Sequence, residues 1–310
     1  MKRIRHVEET IAAKYHEQKM RCPVHLSTGQ EAVSAAVGLA LRKTDFAVSG
    51  HRAHAHYIAK GGSVPKMLAE IYGKETGCCA GKGGSMHLID QSVGFMGSTA
   101  IVGGTIPVGV GLALSSKLKG EDKVTCVFVG DGAIEEGAFY ESANFAALKK
   151  LPVLFLCENN FYSVYSHLRV RQPSERSIQK MVEGIGIPGF SGDGNNVIEV
   201  YHQTLKALKE IRAGNGPRFL EFTTYRWREH CGPNFDNNIG YRTEEEYLHW
   251  RAKEPIGAFE AVMVNEGHLS ESEVKEMERQ INIEVDEAFH FAETSPFPKP
   301  EAAYTHLFSE

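Results

Sequence analysis

The stretch GDGAIEEGAFYESANFAALKKLPVLFLCENNFYS, residues 130–163, decides the fold. Residues 123–129, just before it, form an apolar run that stops at Gly130-Asp131-Gly132. Such a run predicts a buried strand meeting a turn. Residues 134–150 then predict a helix, and residues 152–157 a second buried strand ending in Glu158-Asn159-Asn160. Strand, helix, strand in that order implies a parallel pair with a crossover helix, and hence an α/β fold with a parallel central sheet and helices on both faces.

The same alternation extends in both directions. The first 20 residues read as an amphipathic helix. Thr28 and Glu31 have the separation of a capping box. The helix they open carries Ala32, Ala35, Ala36, Leu39 and Ala40 on one face. Those small side chains fit either close packing against a neighbour or a plain core helix. Ile106, Val110 and Leu114 predict a helix over 104–118, with Pro107 in the first turn, where no amide donor is needed. Residues 161–177 have no clear period and read as a long surface loop, a kind of segment that is often functional. Residues 219–224 predict another strand, and an Asn-, Gly- and Pro-rich segment follows to Gly240. From Glu244 the chain reads as charged and helical, broken at Pro255. These segments imply a single domain over 1–310 with an N-terminal helix and a C-terminal helical extension from about 244 to 310.

The bulk numbers set limits. The chain has 310 residues, 42% hydrophobic and 24% charged, which is ordinary globular composition. A formal net charge of −5 gives no reason to expect nucleic acid or an anionic membrane surface. The N-terminus is charged throughout, unlike a secretory leader. No apolar run approaches the ~18–20 residues that cross a bilayer. The cysteines show no Cys-x-x-Cys spacing, and Cys126 and Cys157 sit inside apolar strands as small hydrophobes. A reduced, cytoplasmic setting is the expectation.

In an open parallel sheet, ligands sit beyond the carboxyl ends of the strands. There this chain puts Asp131, a carboxylate, and Asn160, an amide oxygen. Mg²⁺ needs only one or two such oxygens besides phosphate and water. Gly130 and Gly132 allow close backbone approach, and a helix starting near Ile134 would direct amide dipoles at phosphates. A lone Gly-Asp-Gly is a common turn, and Gly192-Asp193-Gly194 is read as one. The ordered pair of motifs at two strand ends is far more specific.

That pair resembles the thiamine-diphosphate motif, which opens with Gly-Asp-Gly and closes with Asn-Asn. The stretch 130–163 resembles the E1 α subunit of thiamine-diphosphate-dependent 2-oxo-acid dehydrogenases. The resemblance continues through His25-Leu26 with Gly29-Gln30-Glu31-Ala32, Gly81–His87, Ile101–Gly104, Thr224–Arg228 and Tyr241-Arg242-Thr243. His51-Arg52-Ala53-His54-Ala55-His56 is similar to the acetoin dehydrogenase branch. The resemblance implies a thiamine-diphosphate-binding fold of the transketolase-like diphosphate-binding kind, with thiamine diphosphate and Mg²⁺ as cofactors. It implies Mg²⁺ ligation by Asp131 and Asn160 and by the Tyr162 carbonyl. It places Gly132 and Ala133 amides and Arg52 at the diphosphate, and Ala100 and Val102 at the aminopyrimidine. For Arg52 the plain alternative is a surface ion pair. His25, His54 and His230 match active-site histidines, His230 foremost; His56 and His87 are read as supporting residues. The resemblance further implies a β subunit that supplies an activating glutamate, an α2β2 heterotetramer, a small-molecule substrate and a lipoyl-bearing E2 component.

The departures cluster away from the cofactor motif. Glu229 stands where Gly is usual; it could repel a substrate carboxylate, hydrogen-bond a polyhydroxylated substrate, or face solvent. Cys231 replaces a regulatory serine. Ala100 replaces a usual Gly, and Ser27, Ser98 and Thr99 also differ from the family pattern. Residues 163–177 lack the usual Gly-Ser-Thr-rich character. The rival readings are a carboligase or transketolase-like enzyme acting on a sugar-like substrate without a lipoyl carrier, and a non-catalytic partner subunit.

Overall fold

The computed structural model describes residues 1–305. Its centre is a six-stranded parallel sheet. The strands are β1 (Phe46–Ser49), β2 (Phe95–Ser98), β3 (Thr125–Gly130), β4 (Val153–Asn159), β7 (Gly189–Asp193) and β8 (Arg218–Thr223), in the spatial order β2-β1-β3-β4-β8-β7. A separate two-stranded hairpin pairs β5 (Tyr162–Ser163) with β6 (Ser166–His167). In the sheet, β3 and β4 run in register from Thr125 beside Val153 to Gly130 beside Glu158. Both motif ends therefore finish at the same edge.

The apolar runs are continuous because both sheet faces are covered. Cys126, Phe128, Leu154, Leu156, Leu220 and Phe222 point into one core layer. That layer lies beneath helices α1 (Lys2–Lys14), α2 (Glu31–Ala40), α3 (His54–Ala59), α4 (Val64–Ile71), α9 (Val197–Arg212) and α12 (Glu271–Thr294). The alternate residues Val127, Val129, Val153, Phe155, Cys157 and Phe219 point into the other layer. There they meet α5 (Thr105–Leu118), α6 (Gly137–Leu148) and α8 (Ile178–Gly184). Gly109 sets the height of α5. A Cβ on it would stand 2.5 Å from Val127 and 2.9 Å from Val48, so the helix lies directly on β1 and β3. Gly38 does the same for α2, where a Cβ would meet the Ala59 carbonyl at 2.4 Å; the small residues of α2 serve close packing.

Several boundaries differ from the sequence expectation. The capping box at Thr28 does not form: α2 begins at Glu31 behind Gln30, and no side chain caps it. Glu31 instead turns its buried carboxylate to the Gly29 amide at 3.0 Å and to Arg5. Residues Asp131–Glu135 form a 3₁₀ turn, and α6 starts only at Gly137. Gly192 and Asp193 belong to edge strand β7, and the turn begins after them, where Asp193 Oδ1 accepts the Asn195 amide at 2.9 Å. Within 161–177 lie the β5–β6 hairpin and the one-turn helix α7 (Leu168–Arg171). The C-terminal part is helical as expected, in α10 (Glu244–Arg251), α11 (Pro255–Asn265) and α12. Its last five residues, 306–310, lie outside the described residues. Among the described residues no helix is long and apolar enough to cross a membrane.

Candidate active site

From β1 the chain moves outward to β2, and from β3 it moves the opposite way to β4. Strand order therefore reverses between β1 and β3, the place where open α/β sheets form a crevice. A cleft of about 200 Å³ opens there, lined by the segments that leave β1 (Gly50, His51, Arg52), β3 (Asp131, Gly132, Ala133) and β4 (Asn160, Tyr162). Ala100 and Val102 line it from the turn before α5, and His25 and His230 from two loops. Of the catalytic and cofactor-binding residues expected from the sequence, His54 alone does not face the cleft.

At the β3 end, Asp131 is 1% exposed. Burial raises its carboxyl above the ordinary range, and the adjoining Arg171 guanidinium, which bonds to it directly, pulls the other way. At the β4 end, Asn160 Oδ1 accepts the Tyr162 amide at 3.1 Å and Nδ2 donates to Gln30 Oε1 at 3.0 Å. The neighbouring Asn159 points the opposite way, to Glu221 at 2.8 Å, and accepts the Phe161 amide at 3.1 Å. Phe161 takes a left-handed φ of 68°, which turns the chain sharply out of β4 and over the cleft.

Arg52 is buried, and its alternative reading as a surface ion pair does not hold. It donates to the Leu26 carbonyl at 2.6 Å and to the His230 carbonyl at 3.1 Å. Among the described residues no carboxylate pairs with it. Burial lowers its pKa to about 10, so it stays charged at neutral pH. His230 Nδ1 lies 3.5 Å from the same guanidinium; a buried cation with only neutral partners calls for an anion.

Three imidazoles stand beside it. His25 lies 4.7 Å from His51 and 5.1 Å from His230, ring centre to ring centre, and His51 lies 5.3 Å from His230. Burial, then the Arg52 charge, lowers their pKa values to about 2 for His25, about 4 for His51 and about 3 for His230. At neutral pH all three are uncharged and can donate or accept one proton each. His25 Nδ1 is buried without a partner. His54 is fully buried behind this cluster: Nδ1 bonds Glu8 Oε1 at 2.9 Å and Nε2 bonds Ser85 Oγ at 2.8 Å. Both of its nitrogens are engaged in holding α1 and the 85 loop to α3.

Residues beyond the sequence expectation also shape the cleft. His51 takes the cleft position that sequence reasoning assigned to His54; the missing signal was strand β1, whose end it follows. His56 forms the floor, stacked 4.0 Å from Phe128 and bonded to Ser49 Oγ at 2.8 Å and Glu158 Oε2 at 3.0 Å. Glu229 does not line the cleft. Its carboxylate accepts the Asn234 amide at 2.8 Å and closes its own loop. The loop carrying His230 is pinned by Asp236, which pairs with the buried Arg226 and Arg242.

The donor set fits a Mg²⁺-diphosphate. Asp131 and Asn160 offer hard oxygens, Arg52 a lone buried cation, and no heavy atom lies within 4 Å of where a Cβ on Gly50 or Gly130 would stand. The turn before α5, at the mouth, and the outer sides of α5 and α6 carry exposed apolar residues: Ile101 is 69% exposed, Val108 53% and, at the far end of α6, Leu148 72%.

Comparison with known proteins agrees with this geometry. The family model described as "Dehydrogenase E1 component" matches residues 1–301. Pyruvate dehydrogenase E1 component subunit alpha of Rickettsia bellii is 37% identical over 305 residues, covering 98% of this chain and 92% of that protein. The chloroplastic pyruvate dehydrogenase E1 component subunit alpha-3 of Arabidopsis thaliana is 38% identical over 313 residues, 99% of this chain and 72% of the relative. The Porphyra purpurea pyruvate dehydrogenase subunit alpha is 35% identical over 313 residues, 99% and 90%.

Proposed function

The chain belongs to the dehydrogenase E1 component family, as the α subunit of a thiamine-diphosphate-dependent 2-oxo-acid dehydrogenase that works with a β subunit, and on that premise we propose roles for its cleft residues. Arg52 carries the reading, as a buried guanidinium facing a cleft, whose partners are two carbonyls and, at 3.5 Å, His230 Nδ1, with no carboxylate among the described residues. It binds the diphosphate, joined by the amides of Gly132 and Ala133. Asp131, Asn160 and the Tyr162 carbonyl hold Mg²⁺. Ala100 and Val102 contact the aminopyrimidine through their backbone. Thiamine diphosphate, when bound, supplies the carbanion that attacks a substrate carbonyl and then takes up the electrons of C–C cleavage.

The chain's own residues bind, orient and move protons. The substrate is a small 2-oxo acid. Its carboxylate lies against the neutral imidazoles of His25, His51 and His230, with Arg52 behind them. His230 is the proton carrier at the substrate, because its loop brings the imidazole to the cleft wall beside Arg52. His54 acts from behind, by fixing the Glu8–Ser85 contacts under the cluster. The exposed apolar residues of the turn before α5 and of α5 and α6 fit the β subunit, which completes the cofactor pocket. The acyl unit passes to a lipoyl group on an E2 component.

The test is a calorimetric titration of Mg²⁺ and thiamine diphosphate into the chain alone and with its β partner. Tight binding is expected only in the mixture, and Asp131→Ala abolishes it. Binding by the chain alone would overturn the shared pocket. Unchanged binding by the Asp131→Ala complex would overturn the metal assignment. Product formation from pyruvate but not from acetoin, dependent on a lipoyl domain, is the expected substrate pattern.

A further inference from the structure

The segment that follows the cleft strand β4 brings its own cation to the metal carboxylate. The chain turns at Phe161, forms the β5–β6 hairpin, and is held by the Leu168 amide on the Phe161 carbonyl at 2.7 Å. The one-turn helix α7 then points Arg171 back to the turn that follows β3. One guanidinium nitrogen of Arg171 bonds the buried Asp131 carboxylate and another reaches Glu135 Oε1 at 2.5 Å. Its Nε donates to the Ser166 carbonyl at 3.0 Å, which fixes the guanidinium within the strap. Gln172 Nε2 adds a bond to Glu135 Oε1 at 2.8 Å. Ser163 sits on the same corner: its Oγ is 2.8 Å from where a Cβ on Gly132 would stand. Three side chains of one strap thus meet the 3₁₀ turn that carries Asp131 and Gly132.

A divalent cation bound at Asp131 and the guanidinium already bonded to Oδ2 of the same buried carboxylate repel each other and compete for its charge. We propose that Arg171 is a tethered cation that holds the metal side of Asp131 until Mg²⁺ and thiamine diphosphate displace it, releasing the strap 162–172 from the Asp131–Glu135 turn. This rests on the reading of Asp131 as a metal ligand. The pairing keeps a buried carboxylate compensated in the empty enzyme. Its cost falls on cofactor binding, since the competent state is reached only when Arg171 has left. Cofactor loading and strap position are therefore one equilibrium, and each biases the other.

The experiment uses the complex with its β partner and the variant Arg171→Gln, with Arg171→Lys as a second variant that keeps a charge but loses the fork. Two readouts are taken: the affinity for thiamine diphosphate at fixed Mg²⁺ by calorimetry, and backbone hydrogen exchange of residues 162–172. Arg171→Gln should bind cofactor at least about tenfold tighter, with Arg171→Lys between it and the parent. Without cofactor its strap should exchange faster than the parent's; with Mg²⁺ and thiamine diphosphate the two should exchange alike. Equal or weaker cofactor affinity in Arg171→Gln overturns the proposal, as does a strap that exchanges identically in the empty proteins. If Asp131→Ala still binds Mg²⁺ and thiamine diphosphate, the underlying metal assignment fails; if it does not bind while Arg171→Gln changes nothing, the tethered cation alone fails.

Discussion

Asp236→Asn should loosen the loop that carries His230 and cost the protein a large share of its stability. Asp236 is 2% exposed, Arg226 1% and Arg242 3%. Among the described residues it is the carboxylate paired with both guanidiniums. Their other partners are carbonyls and one hydroxyl: Arg226 reaches Arg228 at 2.6 Å, Val164 at 3.0 Å and the Tyr241 hydroxyl at 3.0 Å, while Arg242 reaches Arg226 at 2.8 Å. An amide at 236 keeps the shape and removes the only negative charge, leaving two buried cations uncompensated. Breaking a buried pair from one side costs about 3–5 kcal/mol. For a chain of this size that corresponds to a melting midpoint lower by roughly 5–8 °C. Differential scanning of the complex reads the midpoint, and steady-state kinetics should show a raised KM for the 2-oxo acid as the His230 loop opens. A loss below about 1 kcal/mol, the value of an exposed pair, would refute the argument. A double variant with Arg242→Met should lose less than the sum of the single changes, since one of the stranded cations is gone.

Two further outcomes follow from the cleft and from α2. His25, His51 and His230 have folded pKa values of about 2, 4 and 3, below the ordinary value. The folded protein therefore binds fewer protons than the unfolded chain at mildly acid pH. Stability should be full above about pH 6.5 and fall as pH drops towards 4, at no more than about 1.4 kcal/mol per pH unit for each histidine. His51 and His230 are only partly buried, so their share lies below that ceiling; a midpoint equal at pH 7.5 and 5.5, or a slope untouched by His51→Asn, contradicts this. Thr28→Val should change stability by less than about 0.5 kcal/mol, because the Thr28 hydroxyl is buried without a partner and caps nothing; a loss near 1 kcal/mol, the usual worth of an N-cap, would show a cap that the geometry lacks.

The sequence was most legible where burial is two-sided. The runs of β3 and β4 are long and apolar because both faces are covered, and their ends carry the residues proposed for the metal and diphosphate. β1, β2 and β7 escaped notice because they are short and in part glycine-containing, with no period to read. Missing β1 hid His51, since only the strand end shows that the residue before Arg52 faces the cleft. Thr28 and Ser270 show how a pattern can mislead or pass unseen. Both have Glu three residues on. At Ser270 the box forms, with the Glu273 amide bonded to Ser270 Oγ at 3.2 Å and the Ser270 amide to Glu273 Oε2 at 2.8 Å. At Thr28 the glutamate is taken by Arg5 from a distant helix. Arg171 and Asp236 were not legible at all, because their partners are remote in sequence and set by how the strap and the 230 loop fold back.

The apolar outer sides of α5 and α6 also bear on how the chain must be made. Val108, Phe145 and Leu148 are exposed in the chain by itself, on the surface proposed for the β subunit. A partner that binds only the folded chain raises its stability by mass action, so the melting midpoint should rise with partner concentration. A surplus of this subunit over its partner leaves that greasy surface open to self-association. Balanced synthesis of the two subunits is thus written into the outer face of two helices.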